Sequence, residues 1–302
     1  MGILAGQRAL GFGKVRRSLN CGAPKITLSA PIPRESATPV PPRARGALRL
    51  SAKRRDDLTV IGDLRQEGSL KALFPQVRGA ALDAVFLNTA GGLTGGDRMQ
   101  ITAEAAAGAH LVMSSQAAER GYRAQPGEVA QVDVTLRADS GARIDWMPQE
   151  TILFEQAAIS RKMHVHLAEG ASALLVEPLV LGRRAMGEVV HDVLFQDQWR
   201  VWRDGKLVFA DAVRLAGDAT QIMAGKAIGQ GATAVATILL AGPAAAERFT
   251  DLSLAGLSGA SLIADDLLLV RLLAEDSFEL RKQMIPVMTA LADVPVPRVW
   301  RL

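Results

Sequence analysis

The chain has 302 residues, with 35 Lys+Arg against 31 Asp+Glu, 49% hydrophobic residues, one cysteine and a pI near 9.5, the composition of a globular protein of one or two domains. No run of about 18 apolar residues is free of charge; even the oiliest segment, 262–273, contains Asp265, Asp266 and Arg271, so a membrane-spanning helix is not expected. A lone Cys21 excludes an internal disulfide and any cysteine-based zinc or iron-sulfur site, and it fits a reducing, cytoplasmic compartment.

The basic pI is a local property. Residues 1–55 carry 12 Lys+Arg and only Glu35, while residues 56–302 carry 23 Lys+Arg against 30 acids. An acidic body lacks the phosphate attraction behind most non-specific nucleic-acid affinity, so only the N-terminal segment suits DNA or RNA, and no nucleic-acid partner is expected. Residues 1–43 also hold six of the 14 prolines and no periodic apolar pattern, which predicts a disordered basic leader. The remainder, 44–302, reads as one β-rich domain.

Within it, runs such as Gln131-Val132-Asp133-Val134-Thr135-Leu136-Arg137 alternate apolar and polar residues, the period of a strand with one buried face. Segments 98–102, 162–167 and 207–215 share the pattern, and glycine-bearing turns separate them, which predicts layered antiparallel sheets. Asp204-Gly205 between two such runs predicts a tight hairpin, because both residues tolerate positive φ. Helices are expected only near the end: a short one over 244–251, and one over 278–291 capped by Asp276 or Ser277 and kinked or restarted at Pro286.

Four glycines fall within six residues in Asn88-Thr89-Ala90-Gly91-Gly92-Leu93-Thr94-Gly95-Gly96-Asp97. A phosphate loop would need a lysine and a following Ser or Thr, and neither is present, so tight turns or close backbone approach are the expected role. His164 and His166 share one strand face with Lys162; the neighbouring cation favours a solvated face over a metal site. No Gly-x-Ser-x-Gly elbow occurs, and the scattered carboxylates form no pair that spacing alone would make catalytic.

Several blocks, taken in order, resemble one family: Ser69-Leu70-Lys71-Ala72-Leu73-Phe74-Pro75, the glycine segment, Gln116-Ala117-Ala118-Glu119-Arg120-Gly121-Tyr122-Arg123, Trp146-Met147-Pro148-Gln149-Glu150-Thr151-Ile152, Glu177-Pro178-Leu179-Val180-Leu181-Gly182-Arg183-Arg184-Ala185-Met186-Gly187-Glu188 and Pro297-Arg298-Val299-Trp300. The chain is similar to the urease accessory proteins UreD, also called UreH, over about 44–302. The resemblance implies a mainly β, helically layered scaffold with few helices that is not an enzyme. It implies docking on apo-urease and on UreF, recruitment of the GTPase UreG through UreF, and transient passage of nickel with no stably bound cofactor or metal. Weak oxygen ligands suit such passage. The positions that match the family blocks, as relay or docking candidates, are Asp97, Glu119, Tyr122, Arg123, Glu150, Glu177, Arg183 and Glu188. Gly121 departs from the family, which usually has a branched apolar residue there, and is expected to loosen its strand. The docking patch is expected on the C-terminal helix and residues 297–300. A β-rich hydrolase using two of these carboxylates is the alternative reading.

Overall fold

The computed structural model describes residues 42–76, 79–250 and 252–301. Most of the leader expected over 1–43 therefore lies outside the described residues; Arg43, near its end, pairs with Glu128. The chain runs through β1 (Arg45–Arg55), β2 (Leu58–Gly68), β3 (Leu70–Leu73), β4 (Leu82–Asn88), β5 (Arg98–Ala105), β6 (His110–Ser115), β7 (Glu119–Gly121), β8 (Ala130–Ala138), β9 (Arg143–Trp146) and β10 (Thr151–Leu153). It continues through β11 (Ala158–Leu167), β12 (Ser172–Leu181), β13 (Val193–Arg203), β14 (Lys206–Gly217), α1 (Ala219–Met223), β15 (Ala234–Ala241), α2 (Ala245–Thr250), β16 (Gly259–Ala264), β17 (Leu267–Ala274) and α3 (Ser277–Leu291). The mainly β architecture expected from the sequence is the one observed. Among the described residues no helix is long and apolar enough to cross a membrane.

Two sheets face each other. One has the order β14-β13-β11-β8-β5-β1-β2, the other β16-β17-β15-β12-β9-β6-β4-β3, with β10 and β7 attached beside β12. In the middle of the molecule successive strands alternate between the sheets: β5, β8, β11 and β13 belong to the first, and β6, β9 and β12 to the second. Each turn of the coil adds one strand to each sheet, so neighbours run parallel: β5 with β8, β8 with β11, β11 with β13, β6 with β9 and β9 with β12. The antiparallel pairing inferred from turn frequency is found towards the sheet ends, in β1 with β2, β13 with β14, β3 with β4 and the β12-β15-β17-β16 group. A tight turn looks the same whether the chain folds back in its own sheet or crosses to the facing one. The Asp204-Gly205 hairpin is present, with φ of 47° and 77°.

Period-two patterning builds the core between the sheets. In β11 the residues Ile159, Met163, Val165 and Leu167 are buried, while Lys162 and His164 are exposed. A second core lies on the far side of the second sheet, where Leu280, Met284, Met288 and Leu291 of α3 pack with Val176, Ile238 and Trp300. Asp276 caps α3, its side chain accepting from the Glu279 N–H at 2.9 Å. Proline 286 does not restart the helix, which runs through it as one element.

Candidate functional site

The eight positions singled out in the sequence fall into four separate settings. Asp97 is buried and ties the glycine segment together: its Oδ1 accepts from Ala44 N at 2.7 Å and its Oδ2 from Thr94 N at 2.8 Å. The backbone role expected for that segment is the one found. A Cβ on Gly92 (φ 152°) would stand 2.3 Å from the Tyr122 ring and 2.6 Å from the Arg120 carbonyl oxygen, a close approach only glycine permits. Nor does Gly121 leave its strand loose. A Cβ there would meet Ile159 Cδ1 at 2.8 Å, so Ile159 already fills the space a branched side chain would take.

Tyr122, Arg123, Arg183 and Glu188 gather at an exposed rim. Tyr122 meets Phe154 edge-on with ring centroids 5.4 Å apart, and the Arg183 guanidinium lies 4.5 Å from the Phe154 centroid. Arg183 Nε donates to Glu188 at 2.7 Å, and Glu188 also accepts from the backbone N–H groups of Glu155 and Arg183. Although partial burial opposes them, these bonds hold the Glu188 carboxyl below its ordinary range. Arg123 is exposed and bridges to Ala157 beside this group.

Glu150 sits beneath the C-terminal helix, where Arg281 of α3 donates to its Oε2 at 2.7 Å and stacks 5.0 Å from the Trp300 ring centroid. Trp300 is 1% exposed, and its indole N–H donates to the Met147 carbonyl at 3.0 Å. Of the docking patch expected on the C-terminal helix and residues 297–300, the apolar face of α3 and Trp300 are spent on the protein's own second sheet, while Phe278 and Arg298 stay exposed.

Glu119 and Glu177 point between the sheets. A cavity of about 210 Å³ has Asn88, Glu119, Trp146, Arg161, Glu177 and Phe195 among its lining residues and reaches the surface near Gly91 and Gln116. A second, of about 430 Å³, is lined by Arg161, Glu177, Phe195, Asp197, Thr237 and Arg271, among others, and reaches the surface near Arg214 and Ile228. The two share Arg161, Glu177 and Phe195 as a common wall. Burial pushes the Glu119 carboxyl up to about 7 against the opposing hydrogen bond from Asn88. Burial also raises Glu177, against the pull of Arg161. The hydrolase alternative needs a free acid and base, yet Glu150 and Glu177 are each bound by an arginine.

Arg161 and Asp197 were missed in the sequence, although a signal was there. Arg161 falls in phase with Ile159, Met163 and Val165, and Asp197 in phase with Phe195, Trp199 and Val201, so each puts a charge on a buried strand face. The parallel register sets them directly opposite one another. The histidines of β11 face outward, where His166 stacks on Trp202 with centroids 4.8 Å apart.

The family model described as UreD urease accessory protein matches residues 44–301. A urease accessory protein UreD of Ruegeria sp. (strain TM1040) is 48% identical over 274 residues, which cover 87% of this chain and 92% of that protein. Proteins of the same description from Roseobacter denitrificans and Rhizobium rhizogenes are each 44% identical, covering 88% of this chain and 98% of their own length.

Proposed function

The chain belongs to the UreD family of urease accessory proteins, which assist urease maturation rather than catalyse a reaction, and from that premise we propose that it is the cytoplasmic scaffold through which nickel reaches apo-urease. In this reading it docks UreF and, through UreF, the GTPase UreG, and nickel is cargo passed between the sheets without a resident metal site. The observation that carries the reading is the pair of cavities that meet at Arg161, Glu177 and Phe195 and reach the surface beside different exposed residues, Gly91 and Gln116 for one and Arg214 and Ile228 for the other. Their polar walls offer Glu119, Glu177 and Asp197, oxygen ligands that hold a divalent cation weakly enough to release it. Among the described residues no group of three or more His, Cys, Asp or Glu is placed to hold a metal.

The exposed rim of Tyr122, Arg123, Arg183 and Glu188 is the surface we assign to UreF. An aromatic pair overlaid by an arginine is the kind of anchor that dominates protein interfaces. The test is to co-purify this protein with UreF, UreG and apo-urease, and to measure the nickel content and urea hydrolysis of the urease after activation. Urease activated equally well without this protein would overturn the reading, as would activation by a variant that binds none of the three partners.

A further inference from the structure

We propose that Arg161 is the gate of the internal passage: its side chain separates the two cavities, and a cation passes only when the guanidinium gives up the two carboxylates it bridges. This rests on reading the cavities as a cation route. The Arg161 side chain is 9% exposed and projects from β11 into the space between the sheets. One edge pairs with Glu177 of β12, while Nη2 and Nε donate to Asp197 of β13 at 2.7 and 3.0 Å. One guanidinium therefore spans the gap from one sheet to the other, with the Phe195 ring centroid 5.5 Å away.

The carboxylates would stay in place if Arg161 moved. The Trp146 indole N–H donates to Glu177 at 2.7 Å and that of Trp199 to Asp197 at 3.1 Å, so each acid is oriented by a rigid indole independent of Arg161. The charges favour exchange. A single guanidinium bridges two carboxylates, and a divalent cation matches that pair more closely than a monovalent one. Arginine cannot lose its proton, so the gate opens by displacement of the side chain into the cavity on either side.

The same two indoles supply the test. Of the four tryptophans, Trp202 lies on the outer face of the first sheet and Trp300 under α3, so Trp202→Phe leaves Trp146 and Trp199 as reporters beside the gate and Trp300, which lines neither cavity, as a background common to all variants. Quenching by NiCl2 is followed in Trp202→Phe, in Trp202→Phe with Arg161→Met, and in Trp202→Phe with Arg161→Lys. With Met the nickel quenching rate is expected to rise about tenfold or more, the equivalent of one lost charge-assisted hydrogen bond, while quenching by neutral acrylamide stays unchanged. Lysine keeps one charge but lacks the fork that bridges two acids, so it should fall between; it also carries the test if the Met variant does not fold. Equal nickel quenching with and without the guanidinium overturns the gate, and so does a parallel rise with acrylamide, which would report a loosened fold. The same variants then activate apo-urease. If nickel quenching accelerates but nickel delivery is unchanged, the gate stands as a cation barrier and the route of the preceding section falls. If quenching does not accelerate, the gate falls whatever the urease assay reads.

Discussion

Glu150 and Glu177 are both buried and both held by an arginine, yet their surroundings differ. Glu150 meets Arg281 where α3, Gln149 and Trp300 close around it, and it lines neither of the two cavities. Glu177 meets Arg161 with a cavity on each side. An ion pair that pins a helix over a packed core acts as a clamp, because its buried carboxylate, Glu150 at 3% side-chain exposure, cannot leave without opening the core. The same pair between voids can exchange partners, because there is room to move. Of these two glutamates, Glu150 fastens the C-terminal helix and Glu177 lines the proposed route.

Breaking the clamp should give the largest effect. Trp300→Ala removes a fully buried indole and its hydrogen bond to Met147, and is expected to cost about 3–5 kcal/mol in urea unfolding. Arg281→Ala should cost about 2–3 kcal/mol, less than a fully buried pair because the arginine side chain is 29% exposed. Its effect should be non-additive with Glu150→Gln, since each variant removes the same interaction.

A pH experiment sharpens the contrast on the cavity side. Burial holds Glu119 at about 7 in the folded protein against an ordinary value of 4.5, so between these values the native state keeps a proton that the unfolded chain has already released. Stability contributed in this way is complete below about pH 4.5 and is lost as the pH rises towards 7. Glu119→Gln should therefore be the more stable form at pH 8, by about 1–2 kcal/mol after allowing for partial exposure, and near neutral in effect at pH 4.5. Glu177 is raised by burial as well, so Glu119→Gln should flatten the profile of melting temperature against pH only in part. A profile unchanged by this substitution would remove Glu119 from the low-dielectric interior. The smallest effect on stability is expected at the rim: Arg183→Ala should leave the melting temperature nearly unchanged, because an exposed ion pair contributes little, while recovery of UreF in pull-downs falls. Unchanged recovery would take the rim out of docking.

Much of this architecture was legible in local patterning. Alternation at 131–137, the Asp204-Gly205 turn and the Asp276 cap each rest on neighbouring residues, and each appears in the structure. The parallel coil was not legible, because strand direction depends on which sheet a turn leads to. Strand β12 was hidden for another reason: both of its faces are buried, so its sequence does not alternate. The apolar face of α3 was legible as a face, but sequence does not tell whether such a face packs on its own sheet or on a partner. The family blocks brought Glu119 and Glu177 into view. Their meeting with Arg161 and Asp197 was marked only by charges in phase with buried positions, a signal whose meaning depends on the register between β11 and β13.

The claim that separates the two glutamates most directly is that Glu177 lies on the cation's route and Glu150 does not. The measurement is the nickel content of urease matured with Glu177→Gln or with Glu150→Gln, at equal recovery of the complex with UreF and apo-urease. Glu177→Gln is expected to lower nickel incorporation several-fold, and Glu150→Gln to leave it at the level of the unaltered protein once the complex has formed. Equal incorporation with both variants, or a loss confined to Glu150→Gln, would contradict a route between the sheets.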